Sequence, residues 1–191
     1  MESSLLKIEA EGIIDELNLL KLLWEHGDAR IVGSVVVDLI VKLDIDVHVV
    51  VSGPDLLGVV NEVYSRLLEH ANINEARITD YRPEGVKLGV DSYPGASGPW
   101  SIDIWVTDKI ETTGFELADH LLEHLDQRQR RTILDIKRYY HDRDLLRHGL
   151  SILIYSAVVI DGVKSVDEFE ALHGDSVDDH RVDSLMTRSP M

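Results

Sequence analysis

DIDVHVVV, residues 44–51, sets polar and apolar side chains strictly in turn as far as Val49. Period two predicts a β-strand with Asp44, Asp46 and His48 on one face and Ile45, Val47, Val49 and Val51 on the other. The apolar face supplies core. Two carboxylates side by side repel each other unless a cation lies between them. Hard oxygen ligands of this kind suit Mg²⁺, which tolerates a few carboxylates beside substrate phosphates. The competing reading is a pair of edge-strand acids that face water or pair with arginine. A second Asp-x-Asp, Asp142 and Asp144, lies in KRYYHDRD. That stretch reads as helix, where residues two apart do not share a face, so it is read as solvated surface.

Two neighbouring stretches bear on the first. Upstream, ARIVGS (residues 29–34) reads as a short strand closing on Gly33-Ser34, and nine residues separate Ser34 from Asp44. A glycine at such a turn lets backbone approach a phosphate, and a following helix would offer free amides. A plain turn with Ser34 as helix cap accounts for the same two residues. Downstream, WSIDIWVT (residues 100–107) alternates again. Asp103 shares a face with Ser101 and Trp105, away from Ile102, Ile104 and Val106. Aspartate is depleted from strands, so its position there is informative. Three carboxylates from two neighbouring strands could hold two metal ions about 4 Å apart.

The other elements follow from periodicity and punctuation. Residues 5–26 show helical spacing, with Gly27 ending the pattern. Residues 35–42 (VVVDLIVK) read as a second helix, against their β-branched content. Ser52-Gly53-Pro54 is a turn, and Asp55 caps a helix to about residue 71. Strands are expected over 76–82 and 86–92, joined by a turn at Arg82-Pro83-Glu84-Gly85. Pro94 to Pro99 reads as a loop. Helices are expected over 115–125, 128–147, 149–161 and 166–172. The organisation is α+β with a mixed sheet: a core over 1–110, a helical region over 111–172 and a flexible tail over 173–191.

Composition narrows the function. Apolar residues form 44 % of the chain, which is a globular composition. There is no cysteine, which excludes disulfides and thiolate catalysis and fits an intracellular, cytoplasmic protein. The acidic start MESSLLKIEAEG argues against a secretory signal, and no run is long and apolar enough for a membrane span. Asp and Glu number 35 against 19 Lys and Arg, a formal charge of −16. Such a surface repels phosphate backbones, so nucleic acid is not expected as a partner. A small triphosphate is not excluded, because local geometry and ions govern one pocket.

The succession of IVGS, nine residues, DIDVHVVV and a later IDIWV resembles the nucleotidyltransferase superfamily of the DNA-polymerase-β fold. Its pattern is Gly-Gly or Gly-Ser, a short helix, Asp-x-Asp or Asp-x-Glu, and a third acid on a neighbouring strand. The match falls on Gly33, Ser34, Asp44, Asp46 and Asp103 and covers about residues 30–107. The resemblance implies that Gly33 and Ser34 hold the β- and γ-phosphates and that Asp44 and Asp46 bind Mg²⁺ or Mn²⁺. Asp103 would bind a second ion or act as base on the acceptor hydroxyl. It implies transfer of a nucleoside monophosphate from an NTP, ATP being the expected one, to a hydroxyl of a small molecule or protein. The alternative is a non-catalytic nucleotide-binding or antitoxin-like partner-binding member of the same fold.

Several single residues were weighed beside this pattern. Lys42 could reach a phosphate or could snorkel from a helix end. Lys87 begins a strand near the pocket edge or is simply an exposed edge charge. Lys137 and Arg138 lie in the region from which the resembling family draws triphosphate-binding cations. His48 lines the acid face. His120 and His124, one turn apart, read as surface or interface residues. Trp100 and Trp105 read either as packing or as a stacking surface for a base. The helical region could cover the sheet or form a homodimer.

Overall fold

The computed structural model describes residues 2–147 and 149–178. The chain divides into two compact units between Leu122 and Glu123. Phe115, Ala118 and Leu121 are the buried residues of the helix that begins at Phe115. Phe115 packs under the Arg30 guanidinium of the first strand, 4.5 Å from the ring centre. That contact ties the first part of the helix to the first unit.

The first unit opens with α1 (Glu2–Glu16) and α2 (Leu19–Trp24). These replace the single helix expected over 5–26. Asn18 takes a left-handed conformation, φ 47°, between them. Asparagine tolerates that region better than most residues, so a bend can sit inside an otherwise continuous apolar pattern. β1 (Gly27–Val32), α3 (Gly33–Val36), β2 (Asp44–Val51) and α4 (Leu56–Leu67) follow. The expected helix over 35–42 is confined to the four residues of α3. Its valines favour extended backbone, and Asp38 has φ 54°. Asp55 caps α4 as expected, its Oδ1 accepting from the Gly58 amide at 3.0 Å.

β3 (Ala76–Asp80), β4 (Val86–Gly95) and β5 (Gly98–Thr107) complete a five-stranded sheet in the order β1-β2-β5-β4-β3. β2 and β5 are parallel and the other pairs antiparallel, so the sheet is mixed. The Pro-Gly stretch 94–99 is not a free loop. Pro94 pairs with Pro99 and Gly95 with Gly98, carrying the β4–β5 hairpin almost to its tip. Glu9 of α1 fastens this hairpin, accepting from the Ser97 amide at 3.0 Å and the Trp100 indole at 3.1 Å. Trp100 is fully buried, so it is a core residue and not a stacking surface.

One face of the sheet is covered by apolar side chains of α1, α2 and α4. Ile13, Leu19 and Leu23, with Val60, Val63 and Leu67, join Ile45, Val47, Val49, Leu88, Ile102 and Ile104 in one core. This leaves the opposite face to Asp44, Asp46, His48 and their partners on the neighbouring strands.

The second unit holds α6 (Gln127–His141), α7 (Leu150–Val159) and α8 (Val166–Asp178). A capping box starts α6, with Asp126 and Gln129 each bonded to the other's amide. α8 runs through residues 173–178, where a flexible tail was expected. Residues 179–191 of that tail lie outside the described residues. Among the described residues no helix is long and apolar enough to cross a membrane.

Ile104 is fully buried on β5, between Val47 of β2 and Leu88 of β4. Ile104→Ala should destabilise the protein by about 2–5 kcal/mol, and loss of the Asp55 cap in Asp55→Ala by about 1 kcal/mol. Denaturant titration checks both. The ranking is wrong if the cap variant lowers the midpoint more than the core variant.

Candidate active site

The site is built by strand register. In a sheet, residues directly opposite each other share a face. Asp46 of β2 pairs with Asp103 of β5, and Asp103 with Gly89 of β4. The next row of the same face is Arg30, His48, Trp105 and Lys87. Asp44, two residues before Asp46, completes the acid set, opposite Ser101. Asp44, Asp46 and Asp103 therefore lie on one face of two adjacent parallel strands.

Gly33 and Ser34 stand at the β1–α3 turn beside Asp46. Gly33 has φ 66°, and a Cβ there would lie 2.6 Å from Asp46 Oδ2. Backbone conformation and close approach both demand glycine. Ser34 is buried, and its hydroxyl has no hydrogen-bond partner among the described residues. An unsatisfied buried hydroxyl costs about 1–3 kcal/mol, so the position favours a polar ligand atom.

Charge is distributed unevenly among the three acids. Lys87 Nζ lies 2.6 Å from Asp103 Oδ2, and Lys42 Nζ lies 3.6 Å from Asp44 Oδ2. Asp46 forms no ion pair among the described residues. Desolvation, followed by the charges of Asp44 and Asp103, pushes its carboxyl up to about 7, against smaller opposing effects from Lys87 and Lys42. Its side chain is only half-buried by surface area, so solvent screens part of that cost.

His48 has a different role from the pocket-lining one expected. Burial lowers its imidazole to about 4, so it is neutral at physiological pH. Its Nδ1 accepts from the Gly114 amide at 3.0 Å, which places the proton on Nε2. The ring thereby pins the approach to α5 (Phe115–His124) against β2. Beside it, Trp105 packs against Tyr81 with ring centres 5.8 Å apart. In the second unit Lys137 is buried, with Nζ 3.1 Å from Tyr155 Oη. Arg138 is more exposed and lies 4.0 Å from Asp135.

The donor chemistry of these residues, rather than their present arrangement, fits a hard divalent cation. The fit rests on a carboxyl set that repels itself and on an orphaned hydroxyl at its edge. Among the described residues, no three His, Asp or Glu side chains are arranged to hold an ion together. The outer two carboxylates are instead engaged by lysines. The sequence places Lys87 near the pocket edge without naming its partner. Lysine and aspartate on strands of unknown register carry no sign that they meet. The available signal was Gly89, a strand-interior glycine, which often marks close approach of another group.

No protein-family model and no curated protein matches the chain. Solved structures do. The Cid1 poly(U) polymerase with MgGTP bound superposes with a TM-score of 0.55 at 20 % identity, over 71 % of this chain and 42 % of that one. A cytoplasmic RNA terminal U-transferase gives 0.55 at 19 %, over 77 % and 47 %. The GLD-2 – GLD-3 non canonical poly(A) polymerase complex gives 0.62 at 11 %, over 97 % and 64 %. The chain thus has the polymerase-β-like nucleotidyltransferase fold, as the resemblance implied. It spans between 42 % and 64 % of the length of these three proteins.

The raised Asp46 carboxyl has a stability consequence. The folded state keeps its proton up to about pH 7, whereas the reference carboxyl loses it at 3.8. The group therefore costs nothing below about pH 4, increasingly more as pH rises towards 7, and its full cost above. With EDTA present, Asp46→Asn should stabilise the protein at pH 8 by about 1–3 kcal/mol, and by nothing measurable at pH 4. Melting curves at the two pH values check this. Equal shifts at both would show that Asp46 is not held against its charge.

Proposed function

We propose that this protein is a metal-dependent nucleotidyltransferase, transferring a nucleoside monophosphate from an NTP to an acceptor hydroxyl with release of pyrophosphate. The observation that carries this reading is the facing pair Asp46 and Asp103 on parallel strands, with Asp44 on the same face and Gly33-Ser34 against Asp46. Asp44, Asp46 and Asp103 would hold Mg²⁺ or Mn²⁺. A bound ion supplies neutralisation of charge at the attacked phosphate and a lowered acceptor pKa.

The chain's own residues do the rest. Gly33 keeps the turn open to a phosphate, and the Ser34 hydroxyl donates to one of its oxygens. Lys42 and Lys87 are the nearest cations to the carboxylates and would offset triphosphate charge. The acceptor oxygen bonds to the α-phosphorus as the bond to the bridging oxygen breaks, and the electron pair leaves with pyrophosphate. The acceptor proton passes to the Asp103 carboxylate or to water. Catalysis is then mainly positioning and charge stabilisation.

The acceptor class has two supports that pull apart. The charge of −16 favours a small molecule or a protein hydroxyl over a polyanion. The similar solved structures are, by their names, poly(U) and poly(A) polymerases and an RNA terminal U-transferase. We take the small-molecule or protein hydroxyl as the primary reading and an RNA end as its rival. ATP is the expected donor.

Calorimetry should show triphosphate binding with Mg²⁺ that disappears with EDTA. With labelled NTPs and Mn²⁺, the protein should release pyrophosphate, and Asp46→Asn should lower the rate by at least about a hundredfold. Label appearing on added oligonucleotides would move the acceptor to RNA. Triphosphate binding indifferent to EDTA, with no transfer, would leave a non-catalytic nucleotide-binding protein.

A further inference from the structure

Lys87 sits one row along the sheet from the carboxylates, directly opposite Trp105, while Gly89 stands opposite Asp103. A side chain at position 89 would crowd the Asp103 carboxyl more than the lysine stem. A Cβ there would lie 3.3 Å from Asp103 Oδ1 and 3.9 Å from Lys87 Cε. The ammonium reaches Asp103 Oδ2 at 2.6 Å, with the two side chains 31 % and 33 % exposed. Lys42 holds Asp44 more loosely, at 3.6 Å, and is itself 55 % exposed. The tight pair is therefore at Asp103 and the loose one at Asp44.

We infer that Lys87 is a resident counter-cation for Asp103, occupying in the metal-free protein the charge position that a divalent ion takes on that carboxylate. The inference rests on the metal-dependent reading above. An ammonium at contact distance from a carboxylate oxygen stabilises it while no ion is present. A divalent ion drawn to the same carboxyl meets a positive charge at close range in a partly desolvated place, where such repulsion is weakly screened. Lys87 therefore lowers the protein's intrinsic affinity for the ion at Asp103. A triphosphate that draws the ammonium onto its own oxygens removes that opposition. Ion and nucleotide then reinforce each other's binding through one side chain, and the coupling is reciprocal. Lys87 thus acts through Asp103 before the nucleotide arrives and on the triphosphate once it is bound.

The test uses the full chain without nucleotide and reads Mn²⁺ binding by calorimetry, with melting curves in EDTA to establish folding. Lys87→Met should bind Mn²⁺ about tenfold more tightly than the native chain, and at least about threefold, because the competing charge is gone. Lys87→Arg keeps the charge and should bind within about twofold of native. Lys87→Gln serves in place of Lys87→Met if that variant does not fold. A non-hydrolysable triphosphate should tighten Mn²⁺ binding to the native chain by a larger factor than to Lys87→Met. Equal or weaker Mn²⁺ binding by both neutral variants, with native binding intact, overturns the role of Lys87 and leaves the metal reading standing. Failure of the native chain and every variant to bind Mn²⁺ overturns the metal reading and this inference with it.

Discussion

Two carboxylates held opposite each other on adjacent parallel strands are the constraint around which the first unit is arranged. Asp46 and Asp103 occupy paired positions on β2 and β5, where side chains of one face are forced into proximity. Nothing in the fold relieves this by distance, because the opposite faces of both strands are buried in one apolar core. A one-residue slip of either strand would turn its aspartates inward and its valines or isoleucines outward. The core thus enforces the repulsion. The surroundings answer it with a lysine on either flank, a glycine at 33 that leaves space at Asp46, and a glycine at 89 that leaves space at Asp103. Asp46, between the flanks, is left without an ion pair among the described residues. Its reluctance to ionise follows from that position.

Legibility in the sequence tracked this same physics. β2 was read at its observed bounds because one face is wholly apolar and the other polar up to Val49, so only one register and period fits. β5 was read nearly as well for the same reason. Where local chemistry competes with tertiary pairing, the reading went astray. Pro94, Gly95, Gly98 and Pro99 carry the composition of a loop, yet they finish a hairpin whose last pairs need few amide donors. The stretch 35–42 carried helical spacing, but Val35, Val36 and Val37 resist it and the chain turns at Asp38. Asn18 broke a helix whose apolar pattern runs on unbroken, since periodicity is blind to a single left-handed residue. The shared face of the three aspartates and the turn at Gly33 and Ser34 were legible because each departs from what its strand or turn otherwise demands. The lysine at 87 was not, because its meaning depends on which strand lies beside it.

His48 shows a second kind of hidden information. Its place on the acid face suggested a role in the pocket, but the face also has to connect to the segment that follows β5. The Gly114 amide donates to its ring, and burial keeps the ring neutral so that it can accept. A polar residue on a functional face can thus be structural, holding the chain that frames the site rather than the ligand. The Arg30 guanidinium over Phe115 works on the same segment from β1. Both contacts fix the start of α5 without using any of the three carboxylates.

The overall charge and the local charge of this site act over different ranges. A formal −16 raises the energy of any polyanion that approaches the surface, but ordinary salt screens that field beyond about 8 Å. Inside the site the decisive charges are three carboxylates and two lysines, all within a few strands' width. A triphosphate that arrives with its own cations brings compensation for the acids and a destination for the ammonium of Lys87. A bare nucleic-acid strand must instead cross the acidic surface over many contacts, each with its own repulsion. Charges so arranged would favour a nucleotide at the centre over a long phosphate backbone at the rim. On the proposed reading, charges outside the carboxylate row would select the acceptor, while the row would hold the attacked phosphate and take the acceptor proton.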